Sequence, residues 1–299
     1  MSQTMGMSSG TKPAVGLTES GEFPMTQRDF GVIAAMLIAE AGISLAENKA
    51  NLVYSRLAKR LRLLGLNNFA EYCALVASPA GEAERQQMVA SLTTNVTRFF
   101  REPHHFEHLK THILPPLIAK AKQGHVVRLW SAAASSGQEP YSMALTLLSL
   151  MPDAGKYDIR ILATDIDPNV LAVGAAGNYE TSLVEAVPEA LRNRWFATPK
   201  TGHQQIAEEA RALVKFRKLN LIGNWPMRGK FDAIFCRNVV IYFENDTQEM
   251  IWARILPLLA PDAALYIGHS ERVTGTAEAG LRSDGITIYR PRAAWANFT

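Results

Sequence analysis

The stretch 126-VVRLWSAAASSGQEPYSMALTLL-148 decides the fold of this 299-residue chain. A strand-like run over 126–132 leads into very small residues as far as Gly137, and a helical pattern follows. Small side chains let a ligand lie against the backbone at the sheet edge where doubly wound folds bind ligands. The loop has neither the G-x-G-x-x-G nor the Walker A pattern, so a pyrophosphate cradle is poorly supported. From the loop alone, a plain strand-to-helix turn is an equal alternative.

Strand-like and helical stretches alternate after Gly124, which is typical of βαβ units around a parallel sheet. The predicted strands are 126–132, 159–165, 213–219, 231–236, 263–269 and 286–290. The first, fourth and fifth are the most apolar, so we expect them at the centre of the sheet. The stretch 178–212 is too long for one crossover helix and predicts a small inserted β subdomain.

A helical pattern precedes this part of the chain. Apolar residues at spacings of three and four over 25–95 predict an all-α N-terminal domain. Its predicted helices are 26–40, 46–64, 68–77 and 81–92. Ser44 and Glu47 have the spacing of a capping box at the start of the second helix. Residues 96–124 are interpreted as a linker and a helix over 103–123, and the α/β domain then occupies 125–299.

Composition excludes several classes of protein. A hydrophobic content of 47% is ordinary for a folded chain, and no apolar stretch approaches the ~20 residues of a membrane helix. Residues 1–24 lack the apolar core of a signal peptide and predict a flexible tail, so we expect a cytoplasmic protein without membrane insertion. A net charge of +3 is too small to indicate nucleic acid. Two cysteines, Cys73 and Cys236, build neither a disulfide framework nor a zinc cluster.

Asp165 ends the second predicted strand. Asp167 before Pro168 fits a helix N-cap, which leaves Asp165 without a local structural role. An acid at the end of the second strand is where a cofactor ribose is bound, and Asp165 lies 28 residues after Gly137. A solvated loop aspartate is the alternative. A nucleoside cofactor without a phosphate cradle indicates S-adenosylmethionine rather than NAD.

Several longer strings occur in a fixed order along the chain. They are SLTTNVTRFFREPHHF (91–106), SAAASSGQEPYS (131–142), ATDID (163–167), LNL (219–221), FDAIFCRNVVIYF (231–243) and GHSE (268–271). Together they closely resemble the chemotaxis receptor glutamate methyltransferases, from about Met25 to Arg290. The resemblance implies a class I S-adenosylmethionine-dependent methyltransferase domain of Rossmann-like α/β fold, preceded by the all-α domain. It also implies S-adenosylhomocysteine as a product and glutamates of chemoreceptors (methyl-accepting chemotaxis proteins) as the substrate.

The resemblance implies the site residues as well. Those expected at the cofactor are Asn95, Thr97, Arg101, Ala133, Glu139, Asp165, Asn220, Leu221, Arg237 and Asn238. Arg101 and Tyr242 are the expected catalytic residues, because Tyr242 matches a family tyrosine near the transferring methyl group. A glutamate with a reference pKa of ~4.3 is ionised at neutral pH and needs no general base to attack a sulfonium methyl. Positioning is therefore the main requirement of the reaction.

A row of histidines raises the question of a metal site. His104, His108 and His112 recur at i+4 spacing beside His105, a pattern that in principle ligates a metal. The sequence has no H-E-x-x-H pattern and no cysteine cluster beside them. We therefore predict an ordinary polar helix face and no metal.

The second predicted helix carries a basic face. Its positive residues are Lys49, Arg56, Lys59, Arg60 and Arg62, against Glu47 alone. A solvated face is the alternative to a binding surface, and aromatic residues that would stack on bases are sparse there. The resemblance implies that this face docks on the helical cytoplasmic bundle of chemoreceptors and recruits the protein to receptor arrays. No nucleic-acid partner is expected.

The predicted inserted subdomain departs from part of the family. Members that bind the C-terminal pentapeptide of a receptor use a glycine-rich hairpin there, whereas 178–219 contains only Gly202. The sequence therefore does not favour binding of such a tether.

Two other functions stay open at this point. One is methylation of RNA or of another protein, although Arg237-Asn238-Val239-Val240 stands in place of an N-P-P-Y motif and argues against base N-methylation. The other is a non-catalytic adaptor that senses the cofactor, against which the presence of Arg101 and Tyr242 argues.

Overall fold

The computed structural model describes residues 16–18, 21–197 and 202–292, which form two compact units. The first unit comprises the described residues up to Glu40 together with Leu45–Leu92, and the second comprises Ala41–Ser44 and the described residues from Thr93 onward. Among these residues, none of the helices has both the length and the apolar content that crossing a bilayer requires.

The first unit is built from four helices and a short pair of strands. Its elements are β1 (Gly16–Thr18), β2 (Met25–Thr26), α1 (Gln27–Ala41), α2 (Ala50–Leu64), α3 (Phe69–Ala77) and α4 (Glu82–Leu92). The helices form because apolar residues recur on one face of each, and Leu37, Leu57 and Val76 from three of them are fully buried. The four predicted helices are therefore confirmed, with ends that differ by at most four residues.

One local prediction, at the start of α2, is wrong. A 3₁₀ turn, Glu47–Lys49, precedes α2, and its N-cap is Ala46 rather than Ser44, so the capping box does not form. The predicted tail lies mostly outside the described residues, but 21–24 pack on the helices. The Phe23 side chain is buried, because removing an aromatic ring from water is favourable. The Phe23 backbone N–H donates to the Tyr54 hydroxyl at 3.1 Å.

The second unit is organised around a seven-stranded sheet in the order β10-β11-β9-β8-β3-β4-β7. The strands are β3 (Val127–Ala132), β4 (Ile159–Asp165), β7 (Val214–Lys218), β8 (Phe231–Cys236), β9 (Leu259–Ile267), β10 (Leu281–Gly285) and β11 (Ile288–Pro291). Neighbours from β7 to β9 are parallel, and β11 and β10 add to that edge antiparallel. The prediction that the most apolar strands are central is confirmed, since β8 lies between β3 and β9.

Helices cover the sheet and fill the connections. They are α5 (Pro103–His108), α6 (Leu114–Lys122), α7 (Gln138–Leu150), α8 (Pro168–Ala176), α9 (Thr181–Val184), α10 (Glu189–Trp195), α11 (Glu208–Leu213), α12 (Asn245–Ile255) and α13 (Thr276–Gly280). A π-helical segment, Leu109–Ile113, joins α5 to α6 where the sequence predicts one continuous helix. Between α8 and β7 the strands β5 (Asn178–Glu180) and β6 (His203–Gln205) pair antiparallel, and residues 198–201 of this predicted subdomain lie outside the described residues.

Candidate active site

A cavity opens in the second unit where β3, β4, β7 and β8 reach their carboxyl ends. Each residue that the sequence analysis assigns to the cofactor or to catalysis lines it: Asn95, Thr97, Arg101, Ala133, Glu139, Asp165, Asn220, Leu221, Arg237, Asn238 and Tyr242. Parallel strands bring these distant residues together, because the loops that follow them meet at one edge of the sheet.

The small-residue loop after β3 has a strained backbone. Ala133 and Ser135 adopt left-handed φ angles of 64° and 49°, and Gly137 has φ of 95°. Such conformations cost non-glycine residues about 1–3 kcal/mol each and concentrate at functional sites. A Cβ at Gly137 would lie 2.8 Å from the Tyr179 hydroxyl, so glycine is required there on two grounds. The Ser135 hydroxyl donates to the Asn95 carbonyl at 2.8 Å and ties the loop to the segment after α4.

Asp165 is buried, with 7% of its surface exposed, and it supports the same loop. Its carboxylate accepts the Ser135 N–H at 2.8 Å and the Asp167 N–H at 3.0 Å, so the expectation of no local role is wrong. Burial raises the pKa of Asp165 above its usual range. Asp167 accepts the Asn169 N–H at 2.8 Å, which confirms the predicted N-cap, and it also accepts the Asn95 side-chain amide at 2.9 Å.

The buried Arg237 forms an ion pair with the partly buried Glu139 at the cavity. One Glu139 oxygen accepts the Ser131 hydroxyl at 2.7 Å, and the other lies 3.0 Å from Arg237 Nη1. Burial raises the pKa of Glu139, against the opposing effect of Arg237. Arg237 Nη2 also donates to the Arg101 carbonyl, so the residue that follows β8 holds the backbone at Arg101.

Arg101 and Tyr242 reach the cavity from different segments. The Arg101 side chain is half-buried, and Nη1 donates to the Val96 carbonyl at 3.2 Å. Tyr242 ends a 3₁₀ turn, Val240–Tyr242, and the Tyr242 carbonyl accepts the Ser44 N–H at 3.0 Å. The Arg101 guanidinium and the Tyr242 phenol therefore line the same cavity as Asp165 and Glu139.

Two further carboxylates shape the site and were not identified as functional from the sequence. Glu102 lies 3.4 Å from Arg237 Nη2 and accepts the Asn238 side-chain amide at 3.4 Å. Glu271 is buried and accepts backbone N–H groups from Asn238 at 2.9 Å, Val239 at 2.8 Å and Val240 at 3.0 Å. Both residues lie within quoted motif strings, but their partners are distant in sequence, so their roles depend on the fold.

The predicted basic face is largely engaged within the first unit. Arg60 forms a bidentate pair with Glu84 at 2.9 and 2.5 Å, and Arg56 donates to the Leu92 carbonyl at 2.9 Å. Arg62 pairs with Glu22 at the surface. Lys49 and Lys59 are exposed and form no ion pair with the residues that the structure describes.

Comparison with known proteins shows the family to which the chain belongs. Residues 28–93 match the family model "CheR methyltransferase, all-alpha domain", and residues 95–287 match "CheR methyltransferase, SAM binding domain". A "Probable chemotaxis protein methyltransferase" of Rhizobium etli is 55% identical over 85% of this chain and 96% of its own length. "Chemotaxis protein methyltransferase 2" of Pseudomonas aeruginosa is 44% identical over 90% of this chain and 95% of its own length. The "Chemotaxis protein methyltransferase" of Escherichia coli is 42% identical over 89% of this chain and 91% of its own length. The chain therefore belongs to the CheR methyltransferase family, as an S-adenosylmethionine-dependent methyltransferase of chemotaxis.

Proposed function

We propose that the protein transfers the methyl group of S-adenosylmethionine to glutamate side chains of chemoreceptors, forming glutamyl methyl esters and S-adenosylhomocysteine. One observation carries the proposal: a single cavity is bordered by the buried carboxyl group of Asp165, by the partly buried carboxyl group of Glu139, and by Arg101 and Tyr242. The first pair suits a cofactor that carries a ribose and an ammonium group, and the second pair suits an incoming carboxylate.

The residues at the cavity fit this cofactor by their chemistry. The Asp165 carboxylate is the acceptor for ribose hydroxyls, since it stands at the end of β4. Glu139 offers a negative charge for an ammonium group, and Asn220 with the buried Leu221 borders the space for a flat, apolar base. Asn95, Thr97 and the backbone at Ala133 complete the lining.

Catalysis then rests on positioning and on exclusion of water. Bound S-adenosylmethionine would supply a methyl group on a sulfonium centre: an ionised carboxylate would form a bond to the methyl carbon while the carbon–sulfur bond breaks and S-adenosylhomocysteine leaves. Arg101 holds the substrate carboxylate, and the Tyr242 hydroxyl donates a hydrogen bond that fixes its orientation. Attack of an anion on a cation disperses charge in the transition state. Fixed dipoles in a closed cavity therefore stabilise this transition state better than water does. Arg101 and Tyr242 must not bind the substrate so tightly that its ground state is stabilised equally.

Transfer of labelled methyl from S-adenosylmethionine to a receptor cytoplasmic fragment tests the proposal. A methyl ester releases volatile methanol in mild alkali, so we expect alkali-labile label on the receptor. We expect Arg101→Ala and Tyr242→Phe each to lower kcat, by about 10²-fold for Arg101→Ala. The matched control is Arg228→Ala, an exposed arginine outside the cavity lining, which should leave kcat unchanged.

Other outcomes contradict the proposal. Cofactor binding without label on any receptor fragment would favour a sensing adaptor, and alkali-stable label would indicate methylation at nitrogen. Normal turnover by Arg101→Ala would exclude its role at the reacting carboxylate.

The substrate also needs a place to dock. We infer that the exposed lysines of the basic face, Lys49 and Lys59, meet acidic groups of the receptor's helical bundle. Surface charges of this kind mainly raise the association rate.

A further inference from the structure

A cluster of histidine and carboxylate groups stands at the start of α5. Glu102, His104 and His105 each place one ligand atom so that these atoms lie within 4.8 Å of one another. This is not the row that sequence spacing indicates. His108 and His112 stack on each other with ring centroids 4.7 Å apart, and His108 bonds the Tyr266 hydroxyl at 3.0 Å.

Hydrogen bonding fixes the tautomer of His105. The Thr287 hydroxyl donates its one proton to the Ile286 carbonyl at 2.7 Å, so it can only accept from His105 Nε2, 2.8 Å away. His105 Nε2 therefore carries the ring proton, and Nδ1 of the neutral ring presents a lone pair.

That lone pair faces a carboxylate oxygen. His105 Nδ1 lies 3.6 Å from Glu102 Oε2, and neither atom has a hydrogen-bond partner among the described residues although both are buried. Two buried ligand atoms therefore face each other at a distance too long for a hydrogen bond between them.

We propose that Glu102, His104 and His105 bind a divalent transition-metal ion of the zinc type. Two imidazoles and one carboxylate with an open fourth position form a recurrent zinc set, and ligand bonds of about 2.0–2.1 Å place neighbouring ligand atoms about 3.3 Å apart in a tetrahedron. The 3.6 Å between His105 Nδ1 and Glu102 Oε2 is close to that spacing. A neutral imidazole binds without releasing a proton.

Neighbouring groups support the site. His269 Nδ1 lies 3.4 Å from the other Glu102 oxygen and orients the carboxylate. Arg237 is the adjacent cation, at 3.4 Å from Glu102 Oε2, but its other nitrogen pairs with Glu139 at 3.0 Å, so its charge is balanced without Glu102.

Occupancy has a consequence for the cavity. A metal on Glu102 Oε2 competes with Arg237 for that oxygen, and Arg237 lines the cofactor cavity. We expect zinc to weaken binding of S-adenosylmethionine. This consequence rests on the proposed role of Arg237 at the cofactor, whereas metal binding itself does not.

Calorimetric titration of the full, untagged chain with zinc chloride tests the site without any substrate. We expect one saturable site, weakened about tenfold or more by His104→Ala, whose side chain is exposed and whose loss should not disturb folding. The control is His112→Ala, an exposed histidine outside the cluster, which should bind zinc as the parent does. Magnesium should not compete, because it prefers oxygen ligands.

The absence of saturable binding, or equal binding by His104→Ala and the parent, would overturn the site. A second titration, of S-adenosylmethionine with and without saturating zinc, tests the coupling. We expect lower affinity with zinc, and an unchanged affinity would overturn the coupling to Arg237.

Discussion

Asp165 shows how a single residue carries both fold and function. Burial raises the pKa of Asp165, so the folded protein favours the protonated carboxyl group. Asp165 therefore contributes to folding stability below the pKa of the unfolded chain, and this contribution is lost as the pH rises through the pKa of the folded protein. Ribose hydroxyls prefer the ionised carboxylate. Cofactor binding therefore releases a proton at low pH, and affinity should rise by at most about tenfold per pH unit until Asp165 is ionised.

Binding of S-adenosylmethionine, measured by calorimetry from about pH 4 upward, checks this dependence. Asp165→Asn should weaken binding by at least about tenfold near neutral pH and flatten the acid limb, because charge-assisted hydrogen bonds of ~1.5–3 kcal/mol are lost. Asp262→Asn, an exposed aspartate on β9, should keep the parent profile. A folded Asp165→Asn variant with the parent's affinity and slope would remove Asp165 from the ribose site.

At the scale of elements, the turn after β8 depends on one side chain from another loop. Glu271 accepts backbone N–H groups of Asn238, Val239 and Val240, and Asn238 has a left-handed φ of 57°. An unsatisfied buried donor costs about 1–3 kcal/mol, so Glu271→Ala should lower the free energy of unfolding by at least ~2 kcal/mol. Glu271→Gln keeps one acceptor oxygen and should cost less.

Urea unfolding followed by circular dichroism measures this difference. Glu278→Ala, at an exposed position of α13, should shift the midpoint little. If Glu271→Ala unfolds with the midpoint of Glu278→Ala, Glu271 does not hold the turn.

The same turn shows what sequence can and cannot predict about elements. The central strands follow from their apolar runs, and the assembly of Asp165 and Arg237 at one edge follows from the order of parallel strands. β10 was missed because LRSDG is polar, as an exposed edge strand permits. The bonds from Asn238 to Glu271 span 33 residues, and the capping box was replaced by a 3₁₀ turn. Such contacts depend on tertiary packing, which local sequence patterns do not predict.

At the scale of the whole molecule, docking is a matter of which charges remain available after folding. Arg56 and Arg60 are engaged by the Leu92 carbonyl and by Glu84, and reversing Arg60 would break a partly buried pair with the carboxylate that also accepts the Tyr72 hydroxyl. A slower reaction of such a variant would confuse docking with stability. Lys49 and Lys59 are exposed, so their charges can be reversed with little effect on the fold.

We expect Lys49→Glu with Lys59→Glu to slow receptor methylation at low salt and to leave the affinity for S-adenosylmethionine unchanged. The difference from the parent should shrink as ionic strength rises, because the Debye length falls from about 10 Å at 0.1 M to about 3 Å at 1 M. Lys122→Glu and Lys156→Glu, on exposed positions of the second unit, are the matched control for net charge. Initial rates of methyl transfer over a salt series measure the effect. If both pairs of substitutions slow methylation equally, the effect reflects net charge alone. If the Lys49→Glu, Lys59→Glu variant and the parent have equal rates at low salt, docking through these two lysines is excluded.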